Sequence, residues 1–365
     1  MLSRRKFGSL ALTGLGSELA FAQHAAVLGA VPADTVWLNA NENPEGPPAE
    51  AKAAISDAIQ DAGRYNHRFF QVLNEALARF AGVQPDQVIQ GAGSTEILHC
   101  ALHACTSADK PLITVWPTWE MSRDVVEAAG GRVVKVPLTK HWSADVERLA
   151  AEAKKAGGGV IHLGNPNNPT SSITPKRELR WLAEHLPPNT VLLIDEAYIQ
   201  FADSQNVESG ITYLREGRNV IATRTFSKLY GMAGVRVGFG CGPADLLRRM
   251  QPFRNNVISI LGARAVMAAI QLGDGFLAER RARRNRIRAE LCAWLDRNGR
   301  RYIPPHGNFI LIDIGGNVQE AIARMLAEGV AVGRRFDSVD TWMRVAIGTD
   351  REMDKFRTAF QRVVS

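Results

Sequence analysis

Thr223-Arg224-Thr225-Phe226-Ser227-Lys228-Leu229-Tyr230-Gly231-Met232-Ala233-Gly234-Val235-Arg236 is the stretch around which this 365-residue chain is organised. It sets one lysine between apolar Phe226 and Leu229, with Arg224 and Arg236 close in sequence. Burial and cationic neighbours both lower an amine's pKa, and a lysine treated in this way becomes a good partner for a carbonyl group. Thr225, Ser227 and Arg236 add hydroxyls and a guanidinium suited to a phosphate. The pattern predicts a lysine that condenses with a phosphorylated aldehyde. A Ser-Lys pair alone is more often a surface lysine in a loop, so the rest of the chain has to agree.

Short apolar runs precede the lysine, each ending in polar residues. Val88-Ile89-Gln90 enters Gly91-Ala92-Gly93-Ser94-Thr95-Glu96, after which Ile97, Leu98, Ala101 and Leu102 continue at helical spacing. Small residues at a helix N-terminus make an anion site, though the same turn also serves as a plain strand-to-helix connection. Ile113-Thr114-Val115 ends at Trp116-Pro117-Thr118-Trp119, and Gly158 to Leu163 runs into Gly164-Asn165-Pro166-Asn167-Asn168-Pro169-Thr170, whose prolines impose extended and turn geometry. Val191-Leu192-Leu193-Ile194 has the signature of a parallel strand buried on both faces and terminates in Asp195-Glu196-Ala197-Tyr198. A carboxylate there is costly to bury unpaired; Asp195 is either a helix N-cap or the partner of a bound cation. Val220-Ile221-Ala222 and Val235 to Phe239 are the expected strands on either side of the lysine loop. Residues 49–62 and a second segment through Phe80 read as helices broken at Gly63-Arg64-Tyr65, residues 244–299 read as helices, and Asn308 to Ile312 reads as a strand. Strands alternating with helices, with candidate ligands at the strands' C-terminal ends, predict an α/β domain with a mostly parallel, seven-strand-like sheet and a site in the crevice beyond it.

The lysine stretch, together with Asn168-Pro169-Thr170 and Asp195-Glu196-Ala197-Tyr198 in that order upstream, resembles the aspartate-aminotransferase superfamily of pyridoxal-phosphate (PLP) enzymes, and within it the histidinol-phosphate aminotransferase group. The resemblance spans nearly the whole chain after its first residues and implies the type I PLP-transferase fold. It implies that Lys228 is both tether and base, that Asp195 pairs with the pyridine nitrogen, and that Asn168 and Tyr198 donate to the ring oxygen. Gly93, Ser94 and Thr95 match the family's phosphate-binding turn, to be joined by Thr225, Ser227 and Arg236. Trp119 stands where relatives stack an aromatic on the ring; without the resemblance it reads as a core or surface anchor. Tyr65 matches a tyrosine given to the neighbouring subunit's cofactor phosphate, which implies a homodimer; otherwise it is a tyrosine packed at a helix start. Arg344, within Trp342-Met343-Arg344-Val345, matches the arginine that grips the substrate's anionic end. The opening arm Trp37 to Pro48 is expected to lie over the substrate, with Asn43 among its contacts.

Three positions depart from the family pattern. Ser171 replaces a glycine after Thr170, and the usual C-terminal arginine segment reads Val332-Gly333-Arg334-Arg335, leaving Arg334 or Arg335 to reach the substrate. Glu45 replaces an aromatic. A carboxylate close to a phosphate ester would repel it, so this substitution predicts free amino acids, aromatic or cationic, as better donors than histidinol phosphate.

Composition excludes disorder and collagen-like structure: 45% of residues are hydrophobic and 22% charged, and no fixed-period repeat is present. Ser3-Arg4-Arg5-Lys6-Phe7 and the mildly apolar run to Ala20-Phe21-Ala22 resemble a twin-arginine export signal, with cleavage expected after Ala22 and a periplasmic or secreted product; if the signal is not functional the protein is cytoplasmic. No run of about eighteen apolar residues calls for stable membrane insertion. The net charge is +7, and two of those charges belong to the leader. Nine arginines between Arg280 and Arg301, with Ile287, Leu291, Trp294 and Leu295 at helical spacing, predict one long helix with a solvated basic face. No aromatic interleaving accompanies it, so no nucleic acid is expected. Cys100, Cys105, Cys241 and Cys292 form no metal or disulfide framework and are expected as buried thiols, a Cys100–Cys105 bridge being conceivable in an exported protein. No metal is expected.

The predicted division is a leader over 1–22, an arm over 23–54 belonging to a small domain, a large PLP-binding domain over 55–250, and the small domain's main body over 251–365. The predicted function is transfer of an amino group from an amino donor to a 2-oxo acid such as 2-oxoglutarate in two half-reactions. A PLP decarboxylase of the same fold, resembling threonine-phosphate decarboxylases, and a non-catalytic exported binding protein are the alternatives.

Overall fold

A computed structural model describes residue 32, residues 34–255 and residues 257–364. The predicted leader and its twin arginines lie outside the described residues, as do residues 23–31 of the arm. The strands are β1 (Val36–Leu38), β2 (Val88–Gly91), β3 (Leu112–Trp116), β4 (Val133–Pro137), β5 (Gly159–Gly164), β6 (Thr190–Asp195), β7 (Val220–Thr225), β8 (Gly238–Cys241), β9 (Tyr302–Ile303), β10 (Phe309–Asp313), β11 (Val330–Val332) and β12 (Trp342–Ala346).

Seven of them form one sheet in the order β2-β8-β7-β6-β5-β3-β4. All are parallel except β8, which runs against both β2 and β7. Both faces of the sheet are covered, which explains why β6 is apolar at successive positions. Val191 and Leu193 pack on one side with Leu98 and Leu102, while Leu192 and Ile194 pack on the other with Leu149 and Leu179. Because β8 is reversed, its first residue, Gly238, lies at the same edge as the last residues of β2 and β7, paired with Gly91 and Thr225. The ends of β3, β5 and β6 share that edge, so six strand termini converge on one crevice.

The strand expected over Val235 to Phe239 begins later, at Gly238. Ala233–Val235 forms a 3-10 turn and Arg236 takes a left-handed conformation with φ +58°, which redirects the chain before β8 can pair.

The small domain combines an antiparallel sheet β12-β10-β9 with the parallel pair β1-β11. Its core gathers Leu38, Ile310, Ile312, Met343, Val345, Phe356 and Phe360 with Ile287, Leu291 and Leu295 of the helix Gly273–Arg297. Packing moves the predicted domain limits. The helices Ala49–Ala58 and Ile260–Ile270 lie against each other, and Ala51, Ile260, Ala263 and Val266 share the large-domain core with Leu73, Phe226 and Phe239. Residues 49–54 and 251–270 therefore stand with the large domain. Their apolar faces match its helices, which a cut placed by sequence alone could not register.

The long helix is present with Arg283, Arg286 and Arg297 exposed as expected, but a second line of its arginines is not solvated. Arg280, Arg284 and Arg288 recur every four residues and are buried. Arg280 donates to the carbonyls of Gly46 and Leu229, Arg284 to those of Ile347 and Gly348, and Arg288 to that of Gly307. One line of arginines thus ties the arm, the lysine loop and the small domain together. Cys100, Cys105 and Cys241 are buried free thiols and Cys292 is partly buried, so the conceivable Cys100–Cys105 bridge is absent. Among the described residues no single helix is long and apolar enough to cross a membrane.

Candidate active site

The crevice at the strand ends is a cavity of about 470 Å³, lined by residues from every converging segment. Lys228 lies in it between buried Phe226 and Leu229. Its Nζ donates to the Ala40 carbonyl of the arm at 3.0 Å and stands 5.7 Å from the Tyr198 ring centroid. Burial, and then the charge of Arg344, bring its pKa down to about 8. Arg224, expected beside it, instead pairs with Glu196 at 3.0 Å on the opposite face. Successive strand residues point to opposite faces, so Glu196 turns away while its neighbour Asp195 turns into the cavity.

Asp195 accepts from the Thr223 hydroxyl at 3.1 Å and the Ala197 amide at 3.2 Å. Only a three-residue 3-10 turn, Ile199–Phe201, follows it, so Asp195 caps no long helix. Burial pushes its carboxyl up to about 6, against those two hydrogen bonds. A cation placed against it would restore the ionised form.

At the other end of the cavity, Gly93 adopts φ +79° immediately before the helix Ser94–Cys105. A Cβ on Gly93 would meet Arg236 Nη2 at 2.5 Å, and one on Gly238 would meet the Ser94 amide nitrogen at 2.5 Å. Two glycines therefore keep open a cradle bordered by Ser94, Thr95, Thr225, Ser227 and Arg236. Ser227 Oγ accepts from Thr225 at 2.9 Å and from Arg236 Nη1 at 3.2 Å, which fixes the hydroxyls beside the guanidinium. Trp119 supplies a wall.

Arg344 completes the set. Its guanidinium donates to Asn168 Oδ1 at 2.8 Å and to the Asn39 carbonyl at 2.6 Å, and its Nε has no partner. It forms no ion pair with a described residue, and burial lowers its pKa to about 10. Tyr198 is buried behind it, its hydroxyl accepting from Asn41 at 3.2 Å. A Cβ on Gly333 would meet Arg344 Nε at 2.9 Å, so the glycine that shifts the C-terminal arginine segment also makes room for this side chain.

Not every expected residue arrives. Tyr65, expected at the neighbouring subunit's cofactor phosphate and not at its own, is 69% exposed and lies outside this chain's cavity. Asn43 lines a neighbouring cavity instead; its amide donates to the Leu229 carbonyl at 2.9 Å and supports the loop from behind. Arg334 lines the site but is ion-paired with Glu120. Glu45, expected to face the substrate, lies outside the lining. Its carboxylate is held by Arg280 at 3.4 Å, Arg283 at 3.3 Å and Arg284 at 3.1 Å, so its charge is compensated and the predicted repulsion of a phosphate ester loses its basis. Ser171 takes φ +59°, the conformation that favours the glycine of relatives, and its Oγ accepts from the Gly307 amide at 2.9 Å. Sequence reasoning missed Asn41, Glu42 and His162. His162 lines the cavity and is kept neutral by burial, with a pKa near 4; a histidine inside the apolar run of β5 was the available signal.

A phosphate cradle at one end, a buried carboxylate at the other, an indole wall and a lysine with a lowered pKa define a pyridoxal-phosphate enzyme of the α/β type, and the donor set fits that cofactor. The sequence model of the family described as "Aminotransferase class I and II" matches residues 33–360, and the chain belongs to that family. It is 31% identical over 336 residues to a histidinol-phosphate aminotransferase of Moorella thermoacetica, covering 91% of this chain and 86% of the relative. It is 33% identical over 342 residues to histidinol-phosphate aminotransferase 1 of Cupriavidus pinatubonensis, covering 91% and 89%. A crystal structure of histidinol-phosphate aminotransferase from Sinorhizobium meliloti in complex with pyridoxal-5'-phosphate superposes with a TM-score of 0.84 at 28% identity, covering 90% of each chain. The protein is a PLP-dependent aminotransferase resembling the histidinol-phosphate group; these relationships favour transamination over the decarboxylation alternative.

Proposed function

We propose that this chain transfers an amino group from histidinol phosphate to a 2-oxo acid, with 2-oxoglutarate as acceptor. The observation that carries the reading is Arg344, a buried guanidinium that lines the cavity with Lys228 and has no carboxylate of its own. Such a cation binds a phosphate ester of the donor and then the carboxylate of the acceptor in turn, which is what two half-reactions at one site require.

Pyridoxal phosphate, when bound, supplies the electron sink for the pair left as the donor's Cα–H bond breaks. Lys228 is the base: with a pKa near 8 an appreciable fraction is unprotonated at neutral pH, and its Nζ would take the proton from the donor's Cα and return it at the cofactor's carbonyl carbon, two atoms away across the donor nitrogen. Asp195 would hold a proton on the ring nitrogen, and that ion pair would offset the cost of burying its own charge. The cradle around Gly93 and Arg236 would anchor the phosphate, and Trp119 would shield one face from water. Arg344 fixes the donor's anionic end.

The proposal extends to a homodimer in which Tyr65 reaches the partner's site. Its exposure beside Ile59, a second exposed apolar residue on the same segment, supports that placement. It also includes export in a folded state, supported by Arg4-Arg5 and the apolar run that follows. The test of donor identity is kcat/KM for histidinol phosphate beside a panel of free amino acids, with 2-oxoglutarate as acceptor. Histidinol phosphate is expected to rank first; a free amino acid ranking above it overturns this reading.

A further inference from the structure

The charged residues lining the active-site cavity are mostly cations, namely Lys228, Arg236, Arg334 and Arg344. Its carboxylates are Asp195 and Glu42. Asp195 accepts from Thr223 and the Ala197 amide through Oδ1 and is assigned to the cofactor's ring nitrogen, whereas the Glu42 carboxylate forms no ion pair or hydrogen bond with a described residue and is exposed. Glu42 also borders the neighbouring cavity, of similar volume, which shares Ser227, Ala233 and Gly234 with the first.

Its backbone is held firmly. Asn41 and Asn43 on either side are buried, the first donating to the Tyr198 hydroxyl at 3.2 Å and the second to the Leu229 carbonyl at 2.9 Å. Asn308 donates to the carbonyls of Asn41 and Glu42 at 3.0 and 3.2 Å. Asn41 takes φ +53°, which turns the chain so that both asparagines face inward and the glutamate between them faces the open space. With the backbone held by these hydrogen bonds, the ordering cost of meeting a ligand is confined to the glutamate side chain itself.

We propose that Glu42 is a specificity-determining residue that receives a cationic or N–H-bearing side chain of the amino donor, such as an imidazole. This rests on the proposed function and names the group that discriminates among donors at the same site. The anionic end of the donor goes to Arg344 and its positive or hydrogen-bond-donating end to Glu42, so the site selects donors of mixed charge. Glu42 also favours the charged form of Lys228 against the effect of burial. That second influence acts on every donor alike, whereas recognition is selective, so the two are separable.

The test compares wild type with Glu42→Gln as holoenzymes, using two phosphorylated amino alcohols that differ in one ring: histidinol phosphate and phenylalaninol phosphate. The ratio of their kcat/KM values is expected to fall about tenfold in Glu42→Gln, mainly through KM, in keeping with loss of one hydrogen bond to a charged group. Calorimetric binding of 3-(imidazol-4-yl)propyl phosphate, which lacks the reacting amine, is expected to weaken by a similar factor while 3-phenylpropyl phosphate binds as before. An unchanged ratio, or equal losses for both donors with a shifted pH profile, overturns the proposal and leaves Glu42 acting only on Lys228. If free amino acids prove the better donors, the histidine-to-phenylalanine ratio gives the same test, so failure of the donor assignment and failure of this inference are read separately.

Discussion

Replacing Glu45 by glutamine removes one carboxylate from a cluster in which three guanidinium groups lie 3.1 to 3.4 Å from it. Arg284 is 2% exposed and Arg280 9%, so both are left with a charge that water reaches poorly. Breaking a buried pair from one side costs about 3–5 kcal/mol. The carbonyls of Gly46, Leu229, Ile347 and Gly348 still accept from these arginines, and Glu45 itself is 15% exposed. Both features place the loss at the lower end, about 3 kcal/mol, or a fall in Tm of roughly 6 °C at about 2 °C per kcal/mol for a chain of this size. Arg283→Gln removes the exposed member and is expected to cost no more than about 1 kcal/mol, as for a surface pair. The assay is thermal unfolding of both variants and of Glu45→Gln/Arg284→Met, in which the buried charge disappears with its partner and much of the loss is recovered. A Tm for Glu45→Gln within about 1 °C of wild type, or an equal loss in Arg283→Gln, refutes the clamp.

Asp195→Asn removes a carboxyl whose folded pKa, about 6, lies above its ordinary value. A raised carboxyl contributes stability fully present below the unfolded pKa and lost as pH rises toward the folded one, so ionised Asp195 weakens the cofactor-free protein above pH 6. The cofactor-free variant is therefore expected to melt above wild type at pH 7.5 and to lose that advantage near pH 3.5; the same Tm difference at both pH values contradicts it. Gly93→Ala places a Cβ 2.5 Å from Arg236 Nη2 at φ +79° and is expected to weaken cofactor binding roughly tenfold or more by equilibrium dialysis, whereas unchanged affinity contradicts the cradle. Changing Arg4 and Arg5 to lysine is expected to strand the protein in the cytoplasm; wild-type protein found there with residues 1–22 intact shows that the leader is not a working signal.

Features set by a strand's own chemistry were legible in the sequence. An apolar run ending in a carboxylate has few uses, so Asp195 and the β6 end could be read directly, and the glycine–serine turn at 91–95 announced the cradle. Features set by contacts between distant segments were not. Arg280 and Arg284 look like solvent-facing residues until Glu45 and the backbone carbonyls of the arm come within reach, some 230 residues away in sequence. The same distance hid the compensation of Glu45's charge. The left-handed turn at Arg236 escaped because arginine carries no signal for positive φ, and Ser171 hides another behind a side chain that bonds to Gly307. Asn41 and Glu42 sat in an arm whose proline and glycine content spoke only of irregular backbone; their roles come from where Tyr198 and Asn308 stand.

The central claim is that Lys228 is the amine that carries the cofactor. Borohydride reduction of the purified holoenzyme, followed by proteolysis and peptide mapping, tests it most directly. The account predicts a pyridoxyl label on the peptide containing Thr225-Phe226-Ser227-Lys228-Leu229, with no labelling of that peptide in Lys228→Ala. A label on any other lysine of the wild-type protein contradicts it.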